Sequence, residues 1–322
     1  MQAIIQDGYG SPDEVLELRD IEEPTVGDDD VLVRVRAASV NPLDWHLVTG
    51  TPYIARLESG LRRPKRTTPG ADVAGQVEAV GKNVTRFRPG DEVFGENSGT
   101  FAEYVCVPED GVVAKPANLT FEQAAAVPVA GLTALQGLRD KGRIEEGDSV
   151  LIIGASGGVG TFAVQLAKSF GAEVTGFCST RNIEMVRSIG ADHVIDYTQE
   201  DVVGTGERYD VVLDAVGTLP ISECKSLVGS DGTYVLVGGP KGRLLGPVPH
   251  LIAVLVASKF GGQRMVGILA RQTTEDLLTL KRLLESGDVT PVIDRTYPLS
   301  EVPVAIMRQG RGHGRGKTVI TV

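Results

Sequence analysis

The sequence predicts an α/β protein in which a β-rich domain is joined to a doubly wound parallel sheet. Three observations carry that prediction. Residues 147–168 read as a buried strand, a glycine turn and a helix. From about residue 150 to residue 239, strands and helices alternate. The first third holds short apolar or alternating runs punctuated by turns.

In that first third, residues 1–5, 31–38, 72–80, 92–94 and 102–107 are strand-like. Asn41-Pro42, Pro69-Gly70 and Pro89-Gly90-Asp91 separate them as turn signals. The pattern changes at Asn118-Leu119-Thr120. Thr120 followed by Gln123 makes a capping box that opens an Ala-rich helix, and residues 129–138 form a second helix. Strands then fall at 150–153, 173–178, 193–196, 211–217 and 233–239. Helices fall at about 161–170, 183–189 and 222–228. An apolar helix is expected at 249–259, an amphipathic one at 275–286 and a closing strand at 317–322. The C-terminal stretch is expected to rejoin the first domain, which sets the domains at 1–119 with 261–322, and at 120–260.

The composition is that of a globular protein, with 42% hydrophobic and 23% charged residues. A formal net charge of -10 disfavours wholesale nucleic-acid or anionic-membrane binding, so neither partner is expected. Cys106, Cys178 and Cys224 make no C-x-x-C pair or disulfide framework. With no signal-peptide pattern at the N-terminus, they lead to a cytoplasmic expectation. The longest apolar run, near 251–257, is too short to span a bilayer. The basic run Arg62-Arg63-Pro64-Lys65-Arg66 stands out in an acidic chain. Such runs are usually solvated loops; attraction of an anionic substrate is the sharper alternative.

The glycine turn points to a dinucleotide. Gly157 and Gly160 remove side chains where a diphosphate must approach, and the following helix aims free N–H groups and its positive end at that diphosphate. Ala155 replaces the first glycine of the usual fingerprint, so the placement between strand and helix carries the reading. The second strand ends in Ser179-Thr180-Arg181-Asn182, with no carboxylate to repel a 2′-phosphate and a guanidinium to grip one. NADPH is therefore expected over NADH.

The chain resembles the medium-chain dehydrogenase/reductase superfamily, and within it the zinc-free quinone oxidoreductase, or zeta-crystallin, type. The resemblance rests on Gly147-Asp148, Leu151, Ala155-Ser156-Gly157-Gly158, Gly160, Gln165 and Lys168. Ser39-Val40-Asn41-Pro42-Leu43-Asp44, Pro69-Gly70-Ala71-Asp72-Val73-Ala74-Gly75, Arg88-Pro89-Gly90-Asp91 and Gly131-Leu132-Thr133-Ala134 support it. It implies a GroES-like catalytic domain and a Rossmann NADP-binding domain. Zinc alcohol dehydrogenases carry Cys where Asn41 stands, and His-Glu where Ala71-Asp72 stands. Catalytic zinc needs three protein ligands, so no zinc is expected.

Roles follow from the resemblance. Asn41 would face the nicotinamide ribose or the substrate, and Thr133 the nicotinamide. Ser156, Gly157, Gly158, Val159 and Gly160 would hold the diphosphate. Ser179, Thr180, Arg181 and Tyr197 would take the 2′-phosphate and adenine side. Val216 and Gly217, with Gly238 and Gly239, would line the nicotinamide, and Lys317 would reach the diphosphate. His46 and Asp44 are the candidate catalytic acids, though Asp44 also reads as a cap for the Asn41 loop. Trp45, the only tryptophan, reads as core packing or as a candidate pocket wall; Tyr53 is a candidate pocket residue and a further proton source. His193, His250 and His313 show no ligand spacing. The implied activity is hydride transfer from NADPH to a quinone or enone. A carbonyl reductase using a protein acid, and a non-catalytic or RNA-binding NADPH-binding protein, are the alternatives. Subunits of such proteins pair through a sheet edge, expected here at residues 234–237 of a homodimer.

Overall fold

Alternating side chains put one face of each early strand inward. The structure, a computed structural model, describes residues 1–239, 244–246, 248–259, 262–312 and 314–322. His313 and the expected 260/261 domain boundary lie outside the described residues. The first strands are β1 (Gln2–Gln6), β2 (Leu16–Asp20), β3 (Asp30–Val40), β4 (Asp72–Val80), β5 (Glu92–Glu96), β6 (Tyr104–Pro108) and β7 (Val112–Ala114). In β3, Val31, Val33 and Val35 are buried while Arg34 and Arg36 face out.

The second set is β8 (Ser149–Ile153), β9 (Glu173–Cys178), β10 (His193–Asp196), β11 (Tyr209–Asp214), β12 (Val228–Leu236) and β13 (Arg264–Gly267). The chain closes with β14 (Ile293–Pro298) and β15 (Lys317–Thr321). The helix Phe121–Ala125 begins at Thr120, whose Oγ1 accepts from the Gln123 N–H at 3.2 Å. The Gln123 side chain answers by accepting the Thr120 N–H at 3.0 Å, which is the expected capping box.

Two compact units result. The first comprises residues 1–130, 272–286 and 291–322; the second comprises 131–271 and 287–290. The first unit holds a seven-stranded sheet ordered β14-β15-β3-β4-β5-β7, with β6 paired to β3, and a separate β1-β2 hairpin. In it Ser39 lies opposite Asp72, and Thr318 opposite Val40. That register brings the ends of β3, β4 and β15 together. The second unit holds a parallel sheet ordered β10-β9-β8-β11-β12-β13, the doubly wound order of a Rossmann domain.

Four expectations need correction. The first unit boundary falls at 130/131 rather than at 119/120, and another falls at 271/272. The helix Phe121–Ala125 packs on β3 and β4, and the helix Thr274–Ser286 packs on β7, so both belong to the first unit. The helix after the glycine turn starts earlier, spanning Gly158–Ser169, because Gly157 already has the extended backbone of an N-cap. Residues 234–237 are not at a sheet edge: Tyr234 pairs with Met265, and β13 takes the edge. Finally, β2, β7, β13 and β14 were not foreseen. They are short, or, like β14, largely polar and half exposed, so their period is illegible.

At the centre of the second sheet, Tyr234 is fully buried and donates its hydroxyl to Asp214 Oδ2 at 2.6 Å, while Cys224 Sγ lies 3.3 Å from the same hydroxyl. Burial pushes the Tyr234 hydroxyl well above its ordinary range and the Cys224 thiol up to about 11. Tyr234→Phe would leave a buried carboxylate oxygen short of a donor. It is expected to lower unfolding free energy by about 1–3 kcal/mol, read as a shifted urea midpoint at unchanged slope. An unchanged midpoint would show that water replaces the hydroxyl at no cost.

Candidate functional sites on the two units

In the second unit the first strand, β8, runs into Gly154, whose φ of +80° suits glycine, and then into a helix with no side-chain N-cap bond. Its first N–H groups are therefore available to an anion. A Cβ at Gly160 would lie 2.1 Å from the Gly154 carbonyl oxygen, so the turn closes only on glycine. Ala155 is tolerated because its methyl sits opposite Gly176 of β9, 3.2 Å from where a Cβ there would be. Ser156, Gly157, Gly158, Val159 and Gly160 thus form one turn, as expected from the sequence.

The ends of β9 and β10 meet beside it. Asn182 donates to Ser156 Oγ at 2.9 Å and to Ser179 Oγ at 3.2 Å, while its Oδ1 is buried without a hydrogen-bond partner. Tyr197 donates its backbone N–H to the Cys178 carbonyl at 3.0 Å, and its ring tilts against Phe177 at 5.7 Å. Ser179, Thr180, Arg181 and Tyr197 therefore do cluster, with Arg181 and Tyr197 exposed. One reading needs correction. The end of β9 lacks a carboxylate, yet β10 supplies Asp196, opposite Cys178. Asp196 Oδ2 accepts from Thr180 Oγ1 at 2.5 Å, and Oδ1 accepts from Thr198 N and Oγ1 at 2.9 and 2.8 Å. The Thr180 bond first, then those from Thr198, hold this carboxyl below its usual range. The sequence concealed it because it lies one strand further on.

Asp214 organises the other side of the sheet. Its Oδ1 accepts from the N–H groups of Val216 at 2.8 Å and Gly217 at 2.7 Å. A Cβ at Gly217 would come 2.5 Å from the Gly238 oxygen, and one at Gly238 would come 2.4 Å from the Ala215 oxygen. The two turns pack backbone on backbone, next to Gly239. A Cβ at Gly154 would meet Val216 at 2.7 Å, so the glycine turn and this pair adjoin. Thr133, half buried in the helix Pro128–Gln136, also belongs to this unit. The obligate glycines, the open helix start and the orphan Asn182 oxygen fit a dinucleotide.

The first unit holds a different cluster. Asp72 is fully buried. Its Oδ2 accepts from Ser39 Oγ, from Asn41 Nδ2 at 2.8 Å and from Lys317 Nζ at 3.1 Å; its Oδ1 accepts the Val129 N–H at 2.8 Å. Lys317, 2% exposed, also donates to Asn41 Oδ1 at 2.5 Å. Asn41 is thereby engaged at both ends of its amide, and Lys317 does not stand free for a diphosphate, contrary to the roles implied by resemblance. The ammonium faces the nearest carboxylate because a buried charge needs its partner within hydrogen-bond reach.

Asn41 also caps the helix Pro42–Thr49, in which Asp44 Oδ2 accepts the Asn41 N–H at 2.7 Å. Burial, then Asp72, push the Asp44 carboxyl up to about 7 against the hydrogen bonds from Asn41 and Gly70. Glu96 is likewise raised to about 7, by burial first and then by Asp72 and Asp44. Asp72 and Glu96 went unnoticed as site residues. The signal was Asp72 itself, a lone charge inside the apolar run from Ala71 to Val77.

The other candidates separate. His46 lies in the same helix, and its Nδ1 is 2.6 Å from the Thr51 carbonyl, so it serves there as a donor. Trp45 packs in a core with Val302 and Ile306; a Cβ on Gly310 would touch its ring at 2.3 Å. It is a core residue rather than a pocket wall. Tyr53 is exposed and stacks on the Arg56 guanidinium at 4.6 Å. The positions that would hold zinc do not fit it. Asn41 offers an amide already used twice, Ala71 offers no donor, and both oxygens of Asp72 are taken, one by an ammonium. Among the described residues no group of three or more His, Cys, Asp or Glu is placed to hold a metal ion.

The raised carboxyls predict a pH dependence. Because the folded state holds the Asp44 proton more tightly than the unfolded chain does, its contribution is fully present below pH 3.8. It is lost as pH rises through about 7. Glu96 behaves alike, starting from 4.5. Between these limits the melting temperature of wild type is expected to fall as pH rises, and Asp44→Asn to flatten that fall. Parallel pH profiles for the two proteins would count against a protonated Asp44.

Comparison with known proteins identifies the family. Residues 27–117 match the family described as alcohol dehydrogenase GroES-like domain, and residues 189–320 the one described as zinc-binding dehydrogenase. The mouse (Mus musculus) NAD(P)H oxidoreductase RTN4IP1, mitochondrial, is 36% identical, the match spanning all of this chain and 89% of the relative. The NADPH-dependent alkenal/one oxidoreductase, chloroplastic, of Arabidopsis thaliana is 35% identical over 99% of this chain and 79% of the relative. The solved quinone oxidoreductase of Coxiella burnetii is 34% identical, with a TM-score of 0.88 over 100% of this chain and 99% of that one. These names correct the cytoplasmic expectation. Similar proteins are designated mitochondrial or chloroplastic, including plant quinone-oxidoreductase homologues, so cysteine usage was a poor guide to compartment. The chain belongs to the quinone oxidoreductase type of the medium-chain dehydrogenase/reductase superfamily and is an NAD(P)H oxidoreductase acting on small molecules.

Proposed function

We propose that this protein uses NADPH to reduce quinones or electron-poor alkenes, without zinc. The observation that carries the reading is that Asn41 and Asp72, at positions where zinc relatives keep ligands, are bonded to each other and to Lys317. An acceptor reduced here must already be electron-poor, since these residues offer no metal-assisted polarisation of a simple ketone. The names of the relatives, an alkenal/one oxidoreductase and a quinone oxidoreductase, support that acceptor class.

When bound, the reduced nicotinamide supplies the hydride. The protein's own part is to hold and orient. The open start of the helix Gly158–Ser169 and the Gly154–Gly160 turn take the diphosphate. Ser179, Thr180 and Arg181 take the adenine-side phosphate, beside an Asp196 carboxylate whose oxygens are occupied by Thr180 and Thr198. Asp214 fixes the turns at 215–217 and 237–239 against which the nicotinamide would lie. Asp44, titrating near neutrality, is the better placed of the two candidate acids to store a proton; His46 is committed to Thr51. The homodimer expectation moves to β13, the edge strand of the parallel sheet. Light scattering is expected to give twice the chain mass.

The direct test is oxidation of NADPH, followed by its absorbance, with metal-stripped enzyme and a quinone, an enone, an enoyl thioester and a simple ketone. Turnover is expected with the quinone or the enone and not with the ketone. Arg181→Ala is expected to raise KM for NADPH by roughly tenfold or more and to leave KM for NADH little changed. Activity that returns only with added zinc, or equal effects on both cofactors, would overturn the respective half of the proposal.

A further inference from the structure

The basic run of residues 62–66 is not used by either site. It continues a segment with an unusual surface. Residues 53–66 form two short helical turns, Tyr53–Ala55 and Arg56–Ser59, and then a bending loop. The segment is firmly held from beneath. Tyr9 donates its hydroxyl to the Gly60 carbonyl at 2.7 Å, and the Lys65 N–H bonds the Ser59 carbonyl at 2.8 Å. Arg56 lies over the Tyr9 and Tyr53 rings at 4.4 and 4.6 Å and donates to the Gly50 carbonyl at 2.8 Å.

Several side chains of the segment are exposed. Leu57 is 69% and Leu61 68% exposed, with Tyr53 and Ile54 exposed beside them. A single exposed leucine needs no explanation. Here four exposed large apolar residues are close in sequence to Arg62, Arg63, Lys65 and Arg66, all exposed; among the described residues none of these four cations has an ion-pair partner within 4 Å, Arg63 acting only at longer range on Asp7. In a chain of net charge -10 this is a local reversal of sign.

We propose that residues 53–66 form a docking surface for anionic phospholipid membranes. The apolar side chains would enter the boundary between headgroups and acyl chains, while the cations meet lipid phosphates. The paired chemistry selects this occupant. A nucleic acid would engage the cations but leave the leucines in water, and the chain's overall negative charge repels an extended polyanion. The attachment is peripheral: no helix among the described residues is long and apolar enough to cross a membrane. It replaces, for this segment, the expectation from net charge that no membrane is contacted. The inference is independent of the proposed acceptor.

The test is co-sedimentation of the full chain with vesicles of phosphatidylglycerol and phosphatidylcholine, against vesicles of phosphatidylcholine alone. Binding is expected to the anionic vesicles only, weakening as salt rises. Arg62→Ala with Arg63→Ala is expected to lower the affinity by about twenty-fivefold, at about fivefold per cation. Leu57→Asp with Leu61→Asp is expected to lower it further at high salt. Melting curves check that the variants fold. Amide exchange in the wild type keeps the test open if they do not: anionic vesicles are expected to slow exchange across residues 57–66. Equal sedimentation with neutral vesicles, or variants that bind as wild type does, would overturn the proposal. So would protection of the segment by soluble acyl-CoA, by RNA or by a second copy of the chain without vesicle binding.

Discussion

A carboxylate and an ammonium buried together, Asp72 and Lys317, govern the first unit. Removing both charges from water costs several kcal/mol per ion, and their attraction alone does not repay this. The carboxylate recovers the difference by accepting from Ser39, Asn41 and the Val129 N–H as well. The donors come from three separate parts of the chain, the end of β3, the start of the helix Pro128–Gln136 and β15. The pair therefore ties β3, β4 and β15 to the start of the helix Pro128–Gln136. It makes the return of the C-terminal strand a condition of satisfying the site.

The same cluster determines what chemistry the unit supports. Burial first, and then the charge of Asp72, push Asp44 and Glu96 beside it toward their neutral forms. A site of this kind can hold a proton near neutrality. It lacks the free soft or imidazole donors that a catalytic zinc requires.

The second unit depends on close backbone approach rather than on charge. Gly160 against Gly154, and Gly217 against Gly238, leave no room for a side chain. These contacts let the strand ends crowd around one crevice, where ligands of doubly wound sheets bind. Asp214 serves both purposes: it anchors the turn at Val216 and Gly217 and accepts the hydroxyl of buried Tyr234.

Much of this was legible from local pattern. The alternation of strands and helices, the Thr120 capping box and the glycine turn are short-range features, and each was read from contiguous residues. Positions 156–160 and 179–181 followed from the same logic, because strand, turn and helix place their own ends. What the tertiary structure decided were contacts between residues distant in sequence. Lys317 meets Asp72 through the pairing of β15 with β3 and of β3 with β4, and Asp196 reaches Thr180 through the pairing of β10 with β9. The edge passed to β13 because four residues carry too little period to announce a strand. Trp45 became core because Gly310, far along the chain, leaves a gap for its ring. Local propensity is written in neighbouring residues, whereas strand register and charge pairing arise only when the sheet assembles.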